Sequence, residues 1–223
     1  YKDFIYVAGD FNFWSPTSEY AMKKDSNSER FWLEIEGLEP GEIYTYQYWV
    51  CDLSPIDESP SLVKTADPFS TMVLSPFDDP WIPEASYPNL PEYPYDFGIE
   101  REVTVLKTGQ EPYNWQVEDF EKPKEEDLII YEVLIRDFDS ERTFQNLIDR
   151  IDYFKDLNIN AIELMPVMEY EGNESWGYNT AFHMSVDKFY GPEEKLKEFI
   201  DLCHQNGIAV IFDLVMNLSL IHI

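Results

Sequence analysis

The chain has 223 residues, 44% of them hydrophobic, which suits one large domain or two modest ones, each with its own core, and argues against wholesale disorder. It carries 44 acidic against 16 basic residues, a formal net charge of −28; such a field repels phosphate backbones, and no basic patch offsets it. No apolar run reaches membrane-spanning length and no signal-peptide pattern opens the chain.

The first half reads as short strands separated by turns. FIYVAG predicts a strand over residues 4–8 that breaks at Gly9. RFWLEIEGLEPGEIYTYQYWV predicts two strands around a Pro40-Gly41 turn. Phe31, Leu33 and Ile35 are expected on one face of the first, and Tyr44, Tyr46, Tyr48 and Val50 on one face of the second. The pattern is that of an antiparallel all-β sandwich over residues 1–74. Residues 75–124 hold a run of prolines, including Pro76, Pro80, Pro83, Pro88, Pro91 and Pro94, and read as a linker or covering segment followed by a short strand over EVTVLK.

After residue 124 the period changes. DLIIYEVLIRDF is a near-continuous apolar run, as in a parallel strand buried on both sides. TFQNLIDRIDYFKDLN predicts a helix with Phe144, Leu147, Ile148, Ile151, Phe154 and Leu157 on one stripe and Thr143 as its N-cap. INAIELMPV is a second strand and GPEEKLKEFIDLCHQNG a second helix, entered at Pro192 and stopped at Gly207. IAVIFDLVMN is a third strand. Strand, helix, strand, helix, strand with short connections predicts a parallel sheet. The one long connection, Met168 to Gly191, follows the second strand, where α/β proteins place their sites. Cys51 and Cys203 suggest neither a disulfide framework nor a metal cluster, and both read as structural.

These motifs, in this order, resemble the α-amylase superfamily, glycoside hydrolase family 13: IYEVLIRDF, AIELMPV, WGYNT and YGPEEKLKEFIDLCHQNGIAVIFDLVMN are similar to the first three βα units of its (β/α)8 barrel. YVAGDFNFWSP and FWLEIEGLEPGEIYTYQYWV resemble the Ig-like carbohydrate-binding module family 48 that precedes the barrel in branching, debranching and trehalohydrolase-type members. The resemblance implies a partial TIM barrel over residues 125–217 and an enzyme that cleaves or transfers α-1,4 or α-1,6 glucosidic bonds with retention. Its partner would be an α-glucan oligo- or polysaccharide. Cys51 to Lys64 depart from the module's pattern as a longer polar insertion that lacks a second sugar-stacking aromatic, which weakens the case for glycan binding there.

The resemblance assigns site residues one by one. Tyr178 matches the tyrosine whose ring stacks on the glucose at the cleavage subsite; the competing reading is a packed loop aromatic. Asp213 matches the aspartate that ends the third strand and orients that subsite; the competing reading is a buried structural Asp. Trp14 aligns with a glucan-stacking tryptophan of the module, or serves as packing. Asn217 resembles a calcium ligand of many members, though those with the N-terminal module often lack that ion, and a capping role is the alternative; no other cofactor is implied. Glu163 reads as a structural partner, Trp176 as loop support, and His183 and His204 as surface or packing residues.

Where the family has a histidine after Asn217, this chain has Leu218. The tail LSLIHI, residues 218–223, is what a transposase adapter used in short-read library preparation encodes, and it is expected to be non-native. The family's nucleophile and general acid/base come from the fourth and fifth strands, so residues 1–223 are expected to be an inactive N-terminal fragment with no catalytic residue of their own. A non-catalytic starch- or glycogen-binding protein is the alternative.

Overall fold

A computed structural model of the chain describes residues 2–28 and 30–216. The chain divides into two compact units, residues 1–76 with 91–111, and residues 77–90 with 112–223. Residues 75–124, expected to be a linker, are therefore parted: 91–111 complete the first unit, and both 77–90 and the stretch from 112 onward belong to the second.

In the first unit, β1 (Phe4–Gly9) lies antiparallel to β4 (Ile43–Cys51), which also pairs with β5 (Leu62–Thr65) near its end and with β7 (Val103–Lys107) near its start. The short β6 (Val73–Leu74) closes the sheet on β7. β2 (Lys23–Lys24) and β3 (Phe31–Trp32) form a separate two-stranded ladder. The strand expected to run from Phe31 through Ile35 is paired only over two residues, yet burial still alternates from Phe31 to Glu36.

β4 keeps its tyrosines on one face and buries the other more deeply. Its tyrosines are only half-buried, whereas Thr45 and Gln47 are buried and must be satisfied internally. The Asp10 carboxylate accepts from the amide and hydroxyl of Thr45, and the Gln47 amide donates to the Glu102 carbonyl at 2.9 Å. Tyr46 and Tyr48 direct their hydroxyls to Asp67 at 3.3 and 2.9 Å. Gly9 is required by proximity: a Cβ there would meet the Thr45 carbonyl oxygen at 2.4 Å.

The second unit is built on three parallel strands, β8 (Ile130–Val133), β9 (Ala161–Leu164) and β12 (Ala209–Phe212), in the order β12-β9-β8. Between β8 and β9 run α1 (Ile135–Phe138), α2 (Phe144–Asp149) and α3 (Ile151–Asp156). The expected single helix is broken at Arg150, whose φ of −100° and ψ of 11° leave the helical region. Thr143 caps α2 as expected, its hydroxyl accepting from the Asn146 amide at 3.2 Å, while Leu157 is exposed rather than on the buried stripe. The connection from Met168 to Gly191, read as a loop, contains an antiparallel ribbon of β10 (Met168–Tyr170) and β11 (Thr180–Val186). α4 (Glu193–Gln205) then leads to β12.

One face of this sheet is roofed. Val133, Ile162 and Leu164 pack with Phe144, Leu147, Phe154, Phe199 and Cys203 in a continuous apolar core. Phe154 sits at its centre, with ring contacts to Phe138 at 5.3 Å, Tyr131 at 5.8 Å and Phe199 at 6.4 Å. β8 is not buried on both sides as expected, since Ile130 on its other face is 46% exposed, although Ala161 beside it on β9 is buried. Phe154→Ala removes the ring about which four aromatics pack and is expected to cost roughly 3–5 kcal/mol of stability in urea unfolding of residues 1–223. A loss under about 1 kcal/mol would show that this core collapses around the gap.

Candidate functional site

Parallel register decides which side chains meet beyond the roofed face. Glu132 of β8 lies opposite Glu163 of β9, and Glu163 opposite Ile211 of β12. Asp213 stands two residues past Ile211, and its amide continues the ladder by donating to the Leu164 carbonyl at 3.0 Å. With a side-chain period of two, Glu132, Glu163 and Asp213 therefore point from the same face, near the carboxyl ends of their strands.

Tyr178 reaches this face from the ribbon. Its hydroxyl donates to Asp213 Oδ2 at 2.7 Å, so the two residues expected to share a site are joined directly. The ring is 37% exposed and keeps open surface. That hydrogen bond first, then slight burial and the carboxylates of Asp213, Glu132 and Glu163, push the phenol up to about 12. Gly177, immediately before it, has φ +90°, and a Cβ there would meet the Pro166 carbonyl oxygen at 2.5 Å. Only glycine lets the chain turn at that spot so close to β9. Trp176, expected to support the loop, is 58% exposed.

A buried ion network holds the root of the ribbon. Lys188 is buried, and its ammonium pairs with the Glu169 carboxylate and, at 3.3 Å, with Asp79. Asp187 accepts the amides of Phe189 at 3.0 Å and Tyr170 at 3.3 Å. Burial pulls the Lys188 ammonium down, but Glu169 and Asp79 outweigh it and hold it above the ordinary lysine value. Burial raises both Glu169 and Asp187, with Lys188 pulling each back. Four charged residues scattered over sequence positions 79 to 188 carry no local motif, so sequence reasoning missed them. The one available signal was the period-two alternation in 180–186, which marks a strand rather than a loop.

The remaining candidates fall elsewhere. Trp14 lies in the first unit and is 5% exposed; its indole N–H donates to Asp10 at 3.0 Å and its ring packs near Phe97. A ring so covered fits the packing alternative better than the sugar-stacking one. Glu163 is half-buried beside the site as described, and His204 stacks on Phe120 at 4.0 Å. Cys203 is buried, which pushes its thiol up to about 12, and both cysteines are free. Asn217 and the tail Leu218–Ile223 lie outside the described residues. Among the described residues no group of three or more His, Cys, Asp or Glu side chains could hold a metal ion, and no helix is long and apolar enough to cross a membrane.

Comparison with known proteins agrees with the sequence resemblance. Residues 135–220 match the family model of the alpha amylase catalytic domain. A malto-oligosyltrehalose trehalohydrolase of Saccharolobus solfataricus is 38% identical over 105 residues, 47% of this chain and 19% of that protein. The 1,4-alpha-glucan branching enzyme GlgB of Chlamydia caviae is 27% identical over 220 residues, 95% of this chain and 26% of that protein. A crystal structure of a putative alpha amylase from Salmonella typhimurium superposes with a TM-score of 0.68 at 20% identity, covering 96% of this chain and 29% of that one. The chain thus spans less than a third of the length of each of these proteins. The match to the alpha amylase catalytic domain model falls within the second half of the chain, and the fold of the Salmonella typhimurium structure agrees with it.

Two outcomes follow from the geometry. Because the folded phenol of Tyr178 lies above its ordinary value of 10, its bond to Asp213 is complete below about pH 10 and is lost as pH rises through about 12. In Asp213→Asn the Tyr178 titration, followed by 13C NMR of labelled tyrosine, is expected to fall back toward 10; a value that stays near 12 would assign the shift to another cause. Lys188→Met strands the buried Glu169 carboxylate and is expected to cost roughly 3–5 kcal/mol in urea unfolding, part of which returns in the double variant with Glu169→Gln. A loss in the double variant equal to the sum of the losses in Lys188→Met and Glu169→Gln alone would show that the pair is not coupled.

Proposed function

We propose that residues 1–223 serve an α-glucan-active glycoside hydrolase or transglycosidase that acts on α-1,4 or α-1,6 glucosidic bonds with retention. The observation that carries the reading is the 2.7 Å bond between Tyr178 and Asp213 at the carboxyl ends of parallel strands. It ties down the phenol oxygen while leaving the ring exposed, which is what a stacking platform for a pyranose requires. Tyr178 is then the ring that receives the glucose unit, and Asp213 is the acceptor that orients both Tyr178 and the sugar hydroxyls. The malto-oligosyltrehalose trehalohydrolase and the glucan branching enzyme among the relatives support an α-glucan as the substrate class.

Retaining chemistry needs a nucleophilic carboxylate and an acid/base carboxylate about 5–5.5 Å apart across the scissile bond. By the family resemblance these come from the fourth and fifth strands of the barrel, which are not among the three parallel strands described. Residues 1–223 alone therefore bind but do not cleave in this reading, and no carboxylate here is assigned the missing roles. The first unit is read as an Ig-like module, and Asn217 as a ligand of any calcium ion bound. A non-catalytic glucan-binding protein is the weaker reading, because it rests on Trp14, whose ring is covered.

Calorimetric titration of residues 1–223 with maltoheptaose tests the reading. Binding that Tyr178→Ala abolishes, Tyr178→Phe retains and Trp14→Ala leaves in place is the expected result. Release of reducing sugar from amylose or glycogen by residues 1–223 would overturn the inactivity. Binding lost in Trp14→Ala but kept in Tyr178→Ala would transfer the function to the first unit.

A further inference from the structure

Among the described residues, the turn that carries Asp213 has few fixtures of its own. Its last ladder bond there is the Asp213 amide to Leu164, after which Leu214 and Met216 are exposed and the Val215 side chain is buried. A carboxylate on so open a turn would sample many orientations unless something else held the backbone. His183, on β11, supplies that hold: its Nε2 lies 2.9 Å from the Val215 carbonyl oxygen. A carbonyl can only accept, so Nε2 carries the proton and donates. The ribbon thus grips the same turn twice, through Tyr178 to the carboxylate and through His183 to the backbone two residues on.

We infer that His183 is a positioning residue for the Tyr178–Asp213 pair, fixing the turn so that the Asp213 carboxylate faces the phenol and any sugar stacked on it. The inference rests on the reading of that pair as the glucan-binding site, but its geometric part stands separately. The bond requires hydrogen on Nε2, a condition met by the imidazolium and by one of the two neutral tautomers. Nothing in the sequence around AFHMS distinguishes this role from packing, because the partner is a backbone carbonyl 32 residues away.

Residues 1–223 with tyrosine labelled at Cζ provide the test. The Tyr178 resonance at neutral pH is identified by its disappearance in Tyr178→Phe, and Asp213→Ala marks its position without the hydrogen bond. His183→Ala and His183→Phe are expected to move the resonance at least halfway to the Asp213→Ala position. His183→Gln, whose side-chain amide can donate to the same carbonyl, is expected to leave it near wild type. Should His183→Ala fail to fold, His183→Phe, which keeps the ring volume, decides. A Tyr178 resonance unmoved in the folded His183 variants overturns the inference, and so does a displacement in His183→Gln as large as in His183→Phe. Maltoheptaose titration of the wild type separates the two readings. A shifted resonance without sugar binding keeps the positioning role and removes the glucan site; sugar binding with an unmoved resonance does the reverse.

Discussion

The register of three short parallel strands is the constraint from which the rest of the second unit follows. Pairing Ile130 with Ala161 and Ala161 with Ala209 puts Val133 and Leu164 on one face and sets Glu132, Glu163 and Ile211 abreast on the other. A slip of one residue in any strand would exchange the two faces, sending carboxylates into the aromatic core around Phe154. The apolar face is so large and so well roofed that the register is strongly specified. The polar residues opposite are placed by that same choice. Asp213 is carried to its position by apolar packing on the side of the sheet it does not face.

The ribbon is a second structure laid against this frame, and it is held by charge rather than by apolar area. Lys188 is buried among Glu169, Asp79 and Asp187, an arrangement that costs desolvation free energy and is stable only while each partner is present. Apolar residues could fill the same space with less cost, but they would not fix one angle of the ribbon against its neighbours. An ammonium that reaches two carboxylates from one lysine accepts few alternative placements. In this chain the consequence is specific: Tyr178 and His183 both lie between Glu169 and Lys188 in sequence, so the span that grips the Asp213 turn is anchored at both ends.

How much of this was legible depended on whether the signal was local. Thr143 as a cap, Pro192 and Gly207 around α4, and the three parallel strands each announce themselves within a few residues, and each is observed. The break at Arg150 was hidden, because a helix interrupted for one residue keeps nearly the same apolar stripe. Which face of β4 is buried was not legible: tyrosines alternate there, yet Thr45 and Gln47 are the buried residues, with Asp10 accepting from Thr45 and the Glu102 carbonyl accepting from the Gln47 amide, both from distant parts of the chain. Tyr178 and Asp213 were found by their resemblance to family motifs, whereas their direct bond, and the grip of His183 on Val215, are properties of folding that no spacing encodes.

Trp14 shows the limit of carrying a role across by alignment. The turn GDFNFW folds back on itself: Asn12 donates to the Val7 carbonyl at 2.8 Å and accepts from the Gly9 amide, while Asp10 gathers the Trp14 indole and Thr45. Asp10 thus satisfies two separate parts of the sheet at once, and the indole N–H is one of the groups it must bind. A tryptophan committed to that bond presents its ring inward, and the neighbouring Phe13 is left exposed instead. The residues that define the motif are accordingly those that close the turn, so a chain can keep the motif for its fold alone. Recognition in such a chain has to be argued from exposed rings, and on the other unit Tyr178 is an exposed tyrosine whose hydroxyl is held by a carboxylate at a strand end.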